Sequence, residues 1–183
     1  MTASASFHTV LPDTPVGPLT LLASTAGLRE VRFGLPESRG VDPGGEERSP
    51  SVSVRSAPIL EAAEDAVRDY LEGGDDAFDI VPLDLGRSTD FQRAVYRALT
   101  QVSRGSLVTY GELANRLGRG APRAVGQAVG ANPLPLVIPC HRVVAADERL
   151  GGFSGGLHRK VALLELEGIR TRGTGRRARV AVG

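Results

Sequence analysis

PRAVGQAVGANPLPLVIPCHRVV, residues 122–144, changes character twice, and those changes decide how the second half of the chain folds. Pro122 suits the first position of a helix, where its missing N–H costs nothing. Val125 and Val129 fall on one helical face, and Pro133 stops the helix near Asn132. An apolar extended run then reaches the only cysteine, Cys140, followed at once by His141 and Arg142. Arg123, Gly126, Gln127 and Gly130 lie on or near the face opposite the valines. A glycine inside a helix costs about 1 kcal/mol relative to alanine, so two in one short helix require a cause. Close approach of another surface supplies one, and tight helix packing inside the protein supplies another; the residues alone leave both open. A helix reading the major groove carries several long polar side chains towards base edges. This smooth helix, with one Arg at its leading end, suits a narrow groove and sequence-independent contact better.

Outward from that helix, Thr109 and Glu112 have capping-box spacing and open a helix through Leu117. The GRGA turn (118–121) joins the two as a candidate helix-turn-helix. Thr89 caps an earlier helix whose Phe91, Val95, Leu99 and Val102 form an apolar stripe. FDIVPLDL (78–85) reads as a short strand or connector. Ser56 and Pro58 open a helix with Ile59, Ala63, Val67 and Tyr70 on one stripe and Gly73 just beyond it. Residues 34–57, rich in Gly, Pro, Ser and charge, read as a mobile loop. Strands are expected at Phe7–Leu11, Leu19–Ser24 and Leu28–Phe33, between DTPVGP and TAG turns. The expected class is α+β: a small sheet domain over 1–86, a mainly helical domain over 87–170, and a basic tail at 171–183. That Arg-rich tail is either an electrostatic arm or a solvated end.

The 183-residue chain is 41% hydrophobic and 23% charged, enough to bury a core. No apolar run approaches the ~20 residues that span a bilayer, and MTASASFHTV lacks the pattern of a secretory signal. The expectation is a cytoplasmic protein with no membrane partner. Charge is unevenly shared: 6 basic against 15 acidic residues over 1–86, net −9, and 16 against 6 over 87–183, net +10. The second half is thereby suited to a polyanion. Of 22 basic residues only Lys160 is lysine.

A single cysteine excludes an internal disulfide and a multi-cysteine zinc cage. Alone, Cys140 is as well read as a small buried hydrophobe. Pro139 fixes its approach, however, and His141 with Arg142 sets positive charge beside it, which favours thiolate. In extended chain His141 points away from Cys140, so a bridging water or a turn is needed to pass a proton. GGFSGG (151–156) can bring backbone N–H groups to a ligand. Glu167, at the end of a helix over 157–167, is placed to complete a Cys–His–carboxylate relay. By default it is an exposed carboxylate at a helix end.

TDFQRAVYRAL, TYGELA, RAVGQAVGANP, the PCHRV box and FSGGLHRK…LLELEG together resemble the active domain of the 6-O-alkylguanine-DNA alkyltransferases, over about residues 89–168. TPVGPLTLLASTAGLREVRF and DYLEGG…FDIVPLDL resemble that family's amino-terminal domain more loosely. The resemblance implies a ribonuclease-H-like first domain with a structural role, and a second domain that repairs double-stranded DNA containing alkylated guanine. It implies that Cys140 takes the alkyl group from O6 of a flipped-out guanine, reached through the minor groove, in a single irreversible turnover. O4 of thymine is a second possible donor.

Further roles follow from the same resemblance. His141 is the water-mediated base, Glu167 holds it, and Asn132 ties the helix end to the active-site turn. Tyr110 pushes the target phosphate and bonds the base, while Arg123 fills the gap in the duplex. Ala124, Gly126, Gln127 and Gly130 complete the DNA-facing helix. The pocket is expected from Val129, Val143, Phe153, Ser154, Gly155 and Lys160. No cofactor and no metal are expected: His8, His141, His158 and one cysteine do not supply the zinc pattern of some members. The chain is expected to act as a monomer, with cooperative assembly on DNA left open. Phe153 replaces the usual tyrosine, Tyr96 a usual tryptophan, and SRG (103–105) a proline-containing turn. The alternative function is a non-catalytic lesion-binding DNA module; relatives of that kind carry Trp at the cysteine position.

Overall fold

A computed structural model of the chain describes residues 7–36, 57–74, 77–118 and 121–181. Strands β1 (Phe7–Leu11), β2 (Leu19–Ala23) and β3 (Leu28–Phe33) form an antiparallel meander, with Leu11 opposite Leu19 and Leu21 opposite Val31. Helix α1 (Ala57–Leu71) covers the sheet. Ala63, Val67 and Tyr70 of the expected stripe are buried with Leu11, Leu19, Leu21 and Leu28, while at its start Leu60 is the buried residue and the expected Ile59 is only half-buried. Of the expected loop over 34–57, residues 37–56 lie outside the described residues, and Ala57 already belongs to α1.

The 78–85 stretch is no paired strand. It opens in a 3-10 turn, Ala77–Ile80, and then lies beside β3 through one parallel bridge, with Leu28 N–H donating to Pro82 O (2.7 Å) and Asp84 N–H to Leu28 O (2.8 Å). This close approach explains Gly27, where an added Cβ would sit 2.5 Å from Pro82 O.

The second half begins with α2 (Asp90–Thr100), whose Thr89–Gln92 capping box is complete. Val95, Tyr96 and Leu99 are buried, and the Tyr96 hydroxyl donates to Ala131 O (3.0 Å). A two-residue strand β4 (Val108–Thr109) leads into α3 (Tyr110–Arg116), capped reciprocally by Thr109 and Glu112. Helix α4 (Pro122–Gly130) packs on α3 and α2. Strand β5 (Val143–Val144) pairs in parallel with β4, and α5 (Leu157–Leu166) follows the glycine-rich loop.

The described part of the tail, 171–181, folds back as a hairpin, although residues 172–175 stay exposed. Strands β6 (Thr171–Arg172) and β7 (Arg179–Val180) pair antiparallel, and Ala178 is buried. Leu150 N–H donates to Ala178 O and Val180 N–H to Glu148 O, fastening the hairpin beside the glycine-rich loop. Among the described residues no helix is long and apolar enough to cross a membrane.

Candidate active site

Between α4 and β5 the chain is held by one side chain. Asn132 Nδ2 donates to Ile138 O (2.8 Å), and its Oδ1 accepts from Leu134 N–H (3.0 Å). The closed loop forces Leu136 to φ +74°, a left-handed conformation costing roughly 1–2 kcal/mol for such a residue. The sheet buttresses this loop, since Val31 N–H donates to Pro133 O (2.9 Å). Cys140, His141 and Arg142 then make a 3-10 turn, not the extended chain expected, because Arg142 N–H reaches back to Pro139 O.

The turn sends His141 and Arg142 inward onto Glu167, which caps the end of α5. His141 Nε2 lies 2.8 Å from Glu167 Oε1. Arg142 donates through Nε (3.1 Å to each carboxylate oxygen) and Nη2 (2.8 Å), while its Nη1 donates to Val102 O. Tyr70, from α1, donates its hydroxyl proton to Glu167 Oε1 (2.7 Å) and lies 3.2 Å from His141 Nε2. Gly105 N–H completes the cage (3.2 Å). Burial alone would raise the Glu167 pKa, but hydrogen bonds from His141, Arg142 and Tyr70 outweigh it and hold the carboxyl far below its usual range.

Burial pushes the His141 pKa down, against the pull of Glu167, so the ring is neutral at physiological pH. A carboxylate accepts only, so the ring proton sits on Nε2 and Nδ1 carries the lone pair. Nδ1 is buried and, among the described residues, has no hydrogen-bond partner. The relay thus ends in an unpartnered proton acceptor in the turn that begins with Cys140.

Cys140 corrects the expected thiolate. The residue is 3% exposed, and burial raises its pKa, opposed only in part by Asn132 and the Lys160 ammonium. Arg142 is committed to Glu167 and does not offset that burial.

Cys140 borders a cavity of about 240 Å³ with Tyr110, Gly126, Val129 and Gly130 on one side and Gly152, Phe153 and Ser154 on the other. A larger cavity of about 300 Å³, between Phe78, Leu85, Tyr96 and Ile138, lies behind the turn and does not reach Cys140 or His141. The smaller one is therefore the candidate reactive site. Tyr110 stands at the first position of α3, with its hydroxyl 3.2 Å from where a Gly151 Cβ would sit. Arg123, Gln127 and Gly130 are exposed on α4, and Ala124 and Gly126 half-buried. An added Cβ at Gly130 would meet nothing within 4 Å, and one at Gly126 only the Tyr110 ring at 3.8 Å. Internal packing does not require these glycines.

Those features match known proteins. Residues 90–169 fit the family description "6-O-methylguanine DNA methyltransferase, DNA binding domain". The chain is 40% identical over 159 residues to the methylated-DNA–protein-cysteine methyltransferase of Mycobacterium tuberculosis, covering 86% of this chain and 90% of that protein. It is 36% identical over 167 residues to the Haemophilus influenzae protein of the same name, covering 91% and 88%. The chain belongs to the methylated-DNA–protein-cysteine methyltransferase family. The crystal structure of M. tuberculosis OGT in complex with DNA superposes with a TM-score of 0.68 at 40% identity, covering 88% of this chain and 91% of that one.

Within this methyltransferase fold, three residues expected in the pocket do not line it. Lys160 is fully buried and donates to Val143 O (2.5 Å) and Leu150 O, and burial brings its pKa down to about 8. Val143 is held in that tie and in the β4–β5 pair. Gly155 is buried beneath Phe33. Two residues of the relay had no local signal in the sequence: Tyr70 read as core, and Arg142 as a charge near the thiol. Gly152 joins the cavity wall beside the predicted Phe153 and Ser154.

Proposed function

We propose that the protein repairs alkylated duplex DNA by moving the alkyl group from O6 of guanine to Cys140 Sγ, once per molecule. The observation that carries this reading is the only cysteine at a cavity wall, in one turn with a neutral histidine that is anchored by a buried carboxylate and has a free Nδ1. The thiol proton passes through a water to His141 Nδ1, the alkyl carbon–oxygen bond breaks as the carbon–sulfur bond forms, and the guanine recovers one proton. The net exchange is thiol plus alkylated guanine for thioether plus guanine. Glu167 stabilises the transient imidazolium, and Tyr110 offers its hydroxyl to the leaving base from the cavity wall. A thioether is a poor leaving group and the chain has no second cysteine to release it.

Guanine O6 is out of reach inside the stack, so the base must be extruded at a cost of a few kcal/mol. In this reading α3 and α4 act as a helix-turn-helix entering the minor groove. Arg123 fills the gap in the duplex and Tyr110 presses on the target phosphate. Ala121 gives α4 no side-chain cap, and Pro122 at its first position brings no N–H. The remaining half, 1–86, is assigned as a ribonuclease-H-like support domain, and O4 of thymine as a further donor.

Titration against a duplex carrying one O6-methylguanine tests the reading. Mass mapping is expected to show one methyl group on the Cys140 peptide, with repair stopping at one lesion per protein. An unmodified Cys140, or continued turnover, refutes it. Gly130→Ala tests the smooth helix face separately. With no internal neighbour to meet, it is expected to stabilise the fold by about 0.5–1 kcal/mol while weakening duplex binding several-fold. Denaturation and fluorescence anisotropy read the two effects; a destabilised variant with unchanged affinity would restore the packing explanation.

A further inference from the structure

The cavity wall opposite α4 is not supported by the second half alone. Phe153, which lines the cavity with Cys140, meets Phe33 of β3 edge-on, ring centres 5.7 Å apart at 63°. The Phe33 ring also closes over Gly155: a Cβ there would lie 2.4 Å from Phe33 Cε2 and 2.9 Å from Phe153 Cε1. Arg159 holds Phe33 from a further side, its guanidinium carbon 5.0 Å from the ring centre. Its Nε donates to Val16 O (3.0 Å) in the β1–β2 connection, and its Nη1 donates to Gly155 O (2.7 Å) in the glycine-rich loop. One ring of the N-terminal sheet is therefore wedged among the aromatic wall of the cavity, the loop behind it and a clamping arginine.

We propose that Phe33 is a positioning residue that sets the size of alkyl group the cavity admits, by backing Phe153 and preventing it from retreating. Phe33 does not itself line the cavity, and its contact with the cavity wall is made through Phe153. The inference rests on the alkyl-transfer reading. With Phe33 in place the wall favours a methyl group on O6 over a bulky benzyl group. Truncation opens space behind Phe153, into which its ring can swing, and apolar space of this kind discriminates by roughly tenfold or more per group added.

The test compares single-turnover transfer to Cys140 from O6-methylguanine and O6-benzylguanine in the same duplex, for wild type, Phe33→Ala and Phe33→Leu. The benzyl-to-methyl rate ratio is expected to rise roughly three- to tenfold in Phe33→Ala and to return part-way in Phe33→Leu. A merely structural role would lower both rates together and leave the ratio fixed. A ratio unchanged in both variants, or one that falls, overturns the proposal. Should Phe33→Ala lose its cooperative thermal transition, Phe33→Leu alone decides, with the same ratio as readout. A wild-type protein that accepts neither group overturns the alkyl-transfer reading itself, an outcome distinct from an active protein whose ratio ignores Phe33.

Discussion

Glu167→Gln is expected to slow alkyl transfer to Cys140 by on the order of a hundredfold and to destabilise the fold by about 3–5 kcal/mol. The carboxylate accepts from His141, Tyr70, Arg142 and the Gly105 amide at once. A carboxamide offers one oxygen and turns an NH2 group towards donors, so Arg142, 2% exposed, loses its counter-charge. Without that anchor His141 no longer keeps its proton on Nε2, and Nδ1 ceases to be a dependable base.

The stability loss carries a pH signature. The Glu167 pKa lies below its ordinary 4.5 in the folded protein, so below about pH 4.5 the unfolded chain binds a proton that the folded chain does not. The Glu167 contribution is complete above that pH and is lost as pH falls towards the folded value. Urea unfolding at neutral and acid pH should therefore show the gap between wild type and Glu167→Gln narrowing with acidification. A gap independent of pH, with transfer undiminished, would remove Glu167 from the relay.

Cys140→Ser is expected to lower transfer by roughly 10⁴-fold or more, as loss of a nucleophile does elsewhere, while leaving duplex affinity unchanged. The thiol already sits above its ordinary pKa, and in the proposed relay it gives its proton to His141. A hydroxyl is far less acidic, and a histidine whose basicity burial has lowered cannot activate it. Affinity survives because the exposed face of α4 is built from other residues, Arg123, Gln127 and Gly130 among them. Quenched-flow transfer and anisotropy on the same duplex separate the two effects. Residual transfer near the wild-type rate would place the acceptor elsewhere.

Local signals carried much of this. Thr89 and Thr109 mark helix starts through hydrogen bonds that span three residues, and Pro122 through its fixed φ, and such short-range chemistry is readable in a linear string. The same holds for Asn132 beside its loop, and for the stripe of α1. What escaped depends on distance along the chain. Tyr70 and Glu167 are 97 positions apart, and nothing near either announces the pair. Arg142 was misread because adjacency to Cys140 suggests electrostatic help, whereas a 3-10 turn aims its side chain at α5. Lys160 was placed near the pocket by resemblance, yet two backbone carbonyls claim it. The tail hairpin rests on two-residue strands, too short for any alternation to show.

Tyr70 and Phe33 both belong to the amino-terminal half, and Arg104 bonds the Tyr70 and Gly74 carbonyls across the divide. The two halves are consequently not interchangeable parts. A chimaera that joined residues 87–183 to a foreign sheet would keep Cys140 and α4, yet lose the hydroxyl beside the imidazole and the ring behind Phe153. A substitution at Tyr70 or Phe33 therefore reaches the site in the other half through Glu167 or Phe153.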